Sequence, residues 1–270
     1  PGLICAVIGT LTNKRIIYSE GNLSPWVDLY LGGSHLSFLQ RITRLMHLAI
    51  GKHIAALADA VRVQSSLIKA GMIKHGIDSD KILIIGGGVD TDVYCPQEGL
   101  NLLSKEFKIG FVGRLTEEKG VLLLTQVLEE ALKKVPYARF YILGDGPYRN
   151  ILESYSNVEH IGAVPKSQLN QWLAQLHCVL FFQKDIGLAE IESMAAGKVI
   201  VALNSEGTSK VITDLNNGVL CDSDANDYIR CIEKLYADKP LCLRLSINAR
   251  KYAVDNFSWE IVAQQWLTVI

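Results

Sequence analysis

The sequence predicts an α/β fold built on parallel sheets, and three observations predict it. Short β-branched or apolar runs alternate with longer ones from residue 108 onward. The short runs are brief and bounded by Gly, Pro, Asn or Asp. The longer runs carry apolar residues at three-to-four spacing, several entered by an Asp or Ser, as amphipathic helices are.

In chain order, a strand is expected at 15–18, a long helix from about 35 to 59, and strands near 61–63 and 82–85. A linker follows at 96–104, where the apolar periodicity breaks. Strands are then expected at 108–113 (KIGFVG), 139–143 (RFYIL), 159–161, 178–182 (CVLFF), 199–203 (VIVAL) and 219–221. Helices are expected between them at 120–134, 166–176, 189–196, 225–236 and 240–254, and a last one at 258–270.

A chain of 270 residues exceeds one average domain, so two are expected. Residues 1–104 amount to a partial first domain with its linker, 105–257 to a complete second one, and 258–270 to a helix returning toward the first. The start, Pro1-Gly2-Leu3-Ile4, has neither an initiator Met nor a basic leader, and reads as a fragment of something longer. With 49% hydrophobic and 20% charged residues, the chain can bury real cores, which excludes a disordered scaffold. Lys and Arg number 27 against 28 Asp and Glu, so nothing global favours nucleic acid as a partner. Cys5, Cys95, Cys178, Cys221, Cys231 and Cys242 form no C-x-x-C pair, which argues against a disulfide framework or a zinc site and for a reducing, cytoplasmic location. No apolar stretch is long enough to cross a bilayer.

Generic signatures are absent. Gly144-Asp145-Gly146 lacks the third Gly of G-x-G-x-x-G, and neither Gly51-Lys52 nor Gly197-Lys198 is followed by Ser or Thr as a P-loop requires. There is no G-x-S-x-G elbow and no H-E-x-x-H spacing.

The octapeptide from Gly113 to Gly120 (GRLTEEKG) is more informative, because it ends a strand, turns and opens a helix while presenting Arg114 and Lys119 beside backbone N–H groups. Such a turn can hold a diphosphate. It also reads as an ordinary βα loop with two solvated bases. The second segment, KDIGLAEIESMAAG at 184–197, follows the buried run CVLFF. Gly187 allows close backbone approach, the helix points its positive end outward, and Glu192, one turn in, could accept two ribose hydroxyls. Alone, Glu192 reads more readily as a solvated carboxylate. Both segments follow strands of one parallel sheet, so their loops converge on one edge.

GRLTEEKG, YILGDGP (141–147), HIGAVP (160–165), IGLAEIESMAAG and the closing NFSWE (256–260), taken in order, resemble the retaining glycosyltransferases of family four, which have the GT-B fold. Upstream, KILIIGGGVDTDVYCP (81–96) is similar to that family's interdomain segment N-G-V-D-x-x-x-F-x-P, with Gly87 for Asn and Tyr94 for Phe. The resemblance implies two Rossmann-like domains facing across a cleft, the first incomplete here. It implies transfer of a sugar from a nucleoside diphosphate to a hydroxyl of a glycan or lipid-linked acceptor, with retention and with neither metal nor cofactor. It places the diphosphate on Gly113, Arg114, Lys119 and the amides of Gly187 and Leu188, the base near Ile161 to Val164, and the ribose on Glu192. Where the family has a Glu near the donor sugar, eight residues before Glu192, this chain has Lys184. Arg114, Lys119 and Lys184 are therefore the candidate catalytic residues. Lys184 suits either an acidic donor sugar or a degenerate site that binds donor without turnover, and an epimerase of the same fold is a further alternative.

Between His35 and His75 lie Arg41, Arg44, Lys52, Arg62, Lys69 and Lys74 against the single acid Asp59. A basic amphipathic helix here could rest on an anionic membrane surface, at about 1 kcal/mol per base. A core helix with a solvated basic face fits the same residues.

Overall fold

The computed structural model describes residues 14–20, 26, 38–97 and 105–268. The chain divides into two compact units, Pro1–Gly87 with Ala263–Ile270, and Gly88–Val262.

In the first unit, β1 (Ile17–Glu20), β2 (Ala60–Val63) and β3 (Ile82–Ile84) form a parallel sheet in that order. The connections are α1 (Phe38–Leu57) and α2 (Ser66–Lys74). Ala55, Val61, Val63, Ile68, Met72 and Ile82 make its core with Trp26. The first strand begins two residues later than its sequence suggests, because Ile16 is tied to the turn before β2. Its N–H donates to Asp59 Oδ2 at 2.7 Å and its carbonyl accepts from the Asp59 amide at 2.9 Å. The helix expected at 35–59 covers Phe38–Leu57; residues 35–37 lie outside those described. The unexpected α2 is capped by Ser65, whose hydroxyl accepts from the Ile68 amide.

The second unit carries β4 (Phe107–Val112), α3 (Val121–Lys134), β5 (Ala138–Leu143), the short α4 (Arg149–Leu152), β6 (Val158–Gly162), α5 (Lys166–Ala174), β7 (Cys178–Phe181), α6 (Leu188–Ala195), β8 (Val199–Leu203), β9 (Val219–Cys221), α7 (Ala225–Ala237) and α8 (Lys239–Phe257). A final helix, α9 (Trp259–Leu267), has its second half in the first unit. The sheet is all parallel, ordered β6-β5-β4-β7-β8-β9. Successive strand residues feed two cores: Phe140, Ile142, Cys178, Leu180, Val199 and Val201 face one side. Tyr141, Leu143, Val179, Phe181, Ile200 and Ala202 face the other. With both faces covered by helices, these strands need apolar residues at every position.

The expected linker begins at 96, whereas the division between units falls after Gly87. The reason is Arg250 of α8, whose guanidinium donates to the carbonyls of Thr91, Tyr94 and Ala195 and fixes the segment after Gly88 to the second unit. Residues 98–104 lie outside those described. The cysteines are free thiols among the described residues, although the Cys221 and Cys231 sulfurs come within 3.0 Å. Among the described residues, no helix is long and apolar enough to cross a membrane.

Candidate functional site

The strand order reverses between β4 and β7, so the loops leaving their carboxyl ends run apart and open a crevice, where ligands of such sheets bind. The β4 loop turns on Gly120, at φ +75°, and a Cβ there would stand 2.3 Å from Phe182 Cβ, so only glycine fits. The loops after β4, β5 and β6 are stitched together: Leu115 N–H donates to the Asp145 carbonyl at 2.9 Å, and Gly144 N–H to the Gly162 carbonyl at 2.8 Å. A Cβ on Gly144 would sit 1.8 Å from the Gly113 carbonyl oxygen.

Across the crevice, Lys119 Nζ donates to Gln183 Oε1 at 2.5 Å, joining the β4 and β7 loops. Gln183 Nε2 in turn donates to Glu190 Oε1, and Glu190 Oε2 accepts from the Gly187 N–H at 3.1 Å. Glu190 is 1% exposed. Burial pushes its carboxyl up to about 7 against the opposing pull of the Lys119 charge and its hydrogen bonds. Arg114 projects into solvent, pairing with Glu118 at 3.1 Å one turn on.

Glu192 is buried on α6, and Lys166, at the start of α5, reaches its Oε1 at 3.4 Å. Ile161 and Val164 are half-buried just upstream of Lys166. The Tyr94 hydroxyl is buried beside the Glu192 carboxylate. Burial, and then the Glu192 carboxylate, push its ionisation far above the usual phenol range. Leu188 opens α6 with its side chain half exposed. Lys184 is exposed, and its backbone carbonyl accepts from Ser205 Oγ at 2.7 Å.

Thus Lys119, Gly187 and, through Gln183, Glu190 form one connected group, while Glu192 with Lys166 and Tyr94 forms a second on the same helix. Arg114 and Lys184 stand at the rim, bonded to neither. Sequence reasoning left Gln183, Glu190 and the Tyr94 hydroxyl without roles. The readable signal for Glu190 was its place three residues after the helix-capping Gly187, where a carboxylate reaches back to the cap amide.

Among the described residues, no three His, Cys, Asp or Glu side chains gather as a metal site. The sequence does hold Asp-x-Asp triplets at 78–80, 90–92 and 222–224. Their first or last carboxylates hold backbone amides instead: Asp78 takes the Asp80 N–H, Asp90 those of Asp92 and Val93, and Asp224 that of Asn226. Arg62, counted above among the bases of residues 35–75, is buried, and Lys69 Nζ bonds the Ile82 carbonyl at 2.8 Å. The surface basicity of that region is correspondingly smaller.

Residues 106–238 match the family described as glycosyl transferases group 1. A phosphatidylinositol N-acetylglucosaminyltransferase subunit from Arabidopsis thaliana is 27% identical over 260 residues, covering 93% of this chain and 55% of that protein. The alpha-maltose-1-phosphate synthase of Mycolicibacterium smegmatis is 24% identical over 303 residues, covering 99% of this chain and 75% of that one. This chain therefore spans little more than half the length of the Arabidopsis relative. Among solved structures, Anabaena HepE in complex with UDP superposes with a TM-score of 0.79 at 19% identity, over 99% of this chain and 75% of that one. Sucrose-phosphate synthase from Thermosynechococcus elongatus gives 0.79 at 20% identity, over 99% and 71%. The α/β fold with parallel Rossmann-like sheets is the one these GT-B neighbours share.

Proposed function

We propose that the protein transfers a sugar, with retention, from a nucleoside-diphosphate donor to an acceptor hydroxyl in glycan or glycolipid synthesis. The observation that carries this reading is the convergence of Lys119 and the Gly187 cap on one crevice, with Glu192 and the 161–166 segment beside it. An ammonium and a helix N-terminus suit a diphosphate, and a buried carboxylate beside a half-apolar strand end suits ribose and base. The leaving diphosphate gains charge in the transition state, so Lys119, Arg114 and the amides at Gly187 and Leu188 stabilise it more than the ground state. These cations supply the charge compensation for which a metal would otherwise serve, and donor binding is expected to need none.

Two relatives bear names that include an inositol lipid or a sugar phosphate, which supports an acceptor of glycan or lipid-linked type. Exposed Ile42, Leu45, Met46 and Ile50 with Arg41 and Lys52 on α1 support peripheral contact with an anionic membrane from the cytoplasmic side. The exposed Lys184 favours one variation, a donor sugar bearing a carboxylate or a chain that binds donor without turning it over.

The test is calorimetric titration of this chain with UDP, GDP and ADP, with and without excess EDTA. At least one is expected to bind, equally in both conditions. Failure of all three overturns the reading, and binding lost to EDTA and restored by manganese or magnesium overturns its metal-free form.

A further inference from the structure

One buried carboxylate shares its partners with the proposed diphosphate site. Glu190 is fully buried, and its two oxygens take the Gly187 cap amide and the Gln183 amide, whose own oxygen takes the Lys119 ammonium. The groups assigned to the donor are thus turned toward an internal anion. No other charge bears on Glu190 as closely: Asp185, in the same loop, holds the Ile186 amide, and Glu192, two residues on, faces Lys166 and Tyr94.

Two anions cannot share one cation and one amide in a site of low dielectric without large cost. A diphosphate that draws Lys119 and the Gly187 N–H to itself strips a buried carboxylate of its partners, and such a group neutralises rather than remain charged. We infer that Glu190 is a built-in counter-anion of the donor site, which takes up one proton from solvent as the diphosphate takes over its partners. The proton adds to a carboxylate oxygen and no other bond changes. Glu190 is then a positioning residue: it holds Lys119 in place through Gln183 while the site is empty, and its protonation releases Lys119 to the ligand. The poise of its carboxyl near neutrality makes this exchange accessible under ordinary conditions.

The inference rests on the donor-site reading above, and the experiment separates the two. UDP-glucose, GDP-mannose and ADP-glucose are titrated calorimetrically at pH 6 to 8.5, in pairs of buffers of different ionisation enthalpy. These diesters carry no phosphate that titrates in this range, so any proton taken up belongs to the protein. For whichever probe binds, uptake is expected to approach one proton above pH 7 and to vanish near pH 6, with affinity falling about tenfold per pH unit above 7. In Glu190→Gln, which is neutral at every pH and nearly isosteric, both the uptake and the pH slope are expected to disappear. Binding without proton uptake in the parent, a measurement that needs no variant, overturns the inference and leaves the donor site standing. Uptake that persists in Glu190→Gln assigns the proton elsewhere and also overturns it. Absence of binding by all three probes at every pH overturns both.

Discussion

At the carboxyl end of the three-stranded sheet, Arg62 is buried and, among the described residues, meets neutral acceptors. Its guanidinium donates to the Gly86 carbonyl at 2.9 Å and faces Ser19 Oγ at 3.5 Å and the Trp266 ring at 5.9 Å. Among the described residues its Nε has no partner, and burial lowers its pKa. At the carboxyl end of the six-stranded sheet, Lys119 and Glu190 are tied through the neutral Gln183, and Glu192 meets an exposed lysine. Both edges hold desolvated charge, and Glu20 is buried at the first as well, but the second joins opposite charges through a movable amide. Buried charge alone is therefore a poor marker of a binding site; charge whose partners can be exchanged for a ligand's is a better one.

The sharpest way to break this comparison is to remove the cations of the second edge. Arg114→Ala combined with Lys119→Ala is expected to lose two charge-assisted contacts to a diphosphate, about 3 to 6 kcal/mol or roughly 10²- to 10⁴-fold in UDP affinity by calorimetry. Thermal stability should fall modestly, because the exposed Arg114–Glu118 pair contributes little whereas losing Lys119 removes a cation that offsets the burial of Glu190. A double variant that binds as the parent does would remove the diphosphate from this edge altogether.

Next comes Glu192→Gln, which separates the two groups on α6. Ribose recognition by a buried carboxylate is worth about 1.5 to 3 kcal/mol, so UDP should bind roughly 10- to 150-fold more weakly while inorganic pyrophosphate binds unchanged. Equal weakening of both ligands would mean that Glu192 acts on the phosphates or on the fold, and the ribose assignment would fall.

The difference between the edges also explains what was legible in the sequence. The six-stranded sheet could be read strand by strand because runs such as Val199–Leu203 leave no polar face to confuse the period. The turns after β4 and β5 could be placed because glycines such as Gly120 and Gly144 mark positions where no side chain fits. Glu190 was missed for a physical reason: a carboxylate in a helix reads as solvated unless the partners that bury it are known, and Gln183 and Lys119 come from elsewhere in the chain. Arg62 was misread as a surface base because Val-Arg-Val alternates like a strand with one wet face, whereas β2 is covered on both. The helix α2 was overlooked because its nine residues include Gly71 and only three buried positions, too few for the period to show.

Arg62→Met tests the other side of the comparison. If Arg62 is a charge buried at a cost, replacement by an apolar side chain of similar length should raise stability by about 1 to 2 kcal/mol, read as a higher urea midpoint, with UDP binding unaltered. The gain is limited because the Gly86 carbonyl loses its donor. A lower midpoint would show that the carbonyl and indole contacts outweigh desolvation, and a loss of UDP affinity would make this edge part of the donor site.

The smallest expected effect concerns the charge that the first unit keeps at its surface rather than at its sheet edge. On α1, Ile42, Leu45, Met46 and Ile50 are 38 to 65% exposed. At about 100° per residue they share one face, with Arg41 and Lys52 along its rim. Two bases at about 1 kcal/mol each predict up to roughly 30-fold more recovery on vesicles rich in anionic lipid than on neutral ones at low salt. The excess should shrink at high salt, because these charges are exposed and screened. Leu45→Glu with Met46→Glu should lower recovery on both kinds of vesicle, since it removes the apolar anchor and adds like charge to an anionic surface. Equal recovery of the parent on neutral and anionic vesicles would take electrostatics out of the contact. Leu45 and Met46 would then be expected to pack against protein, and the same double variant would show it as a change in oligomeric state rather than in membrane recovery.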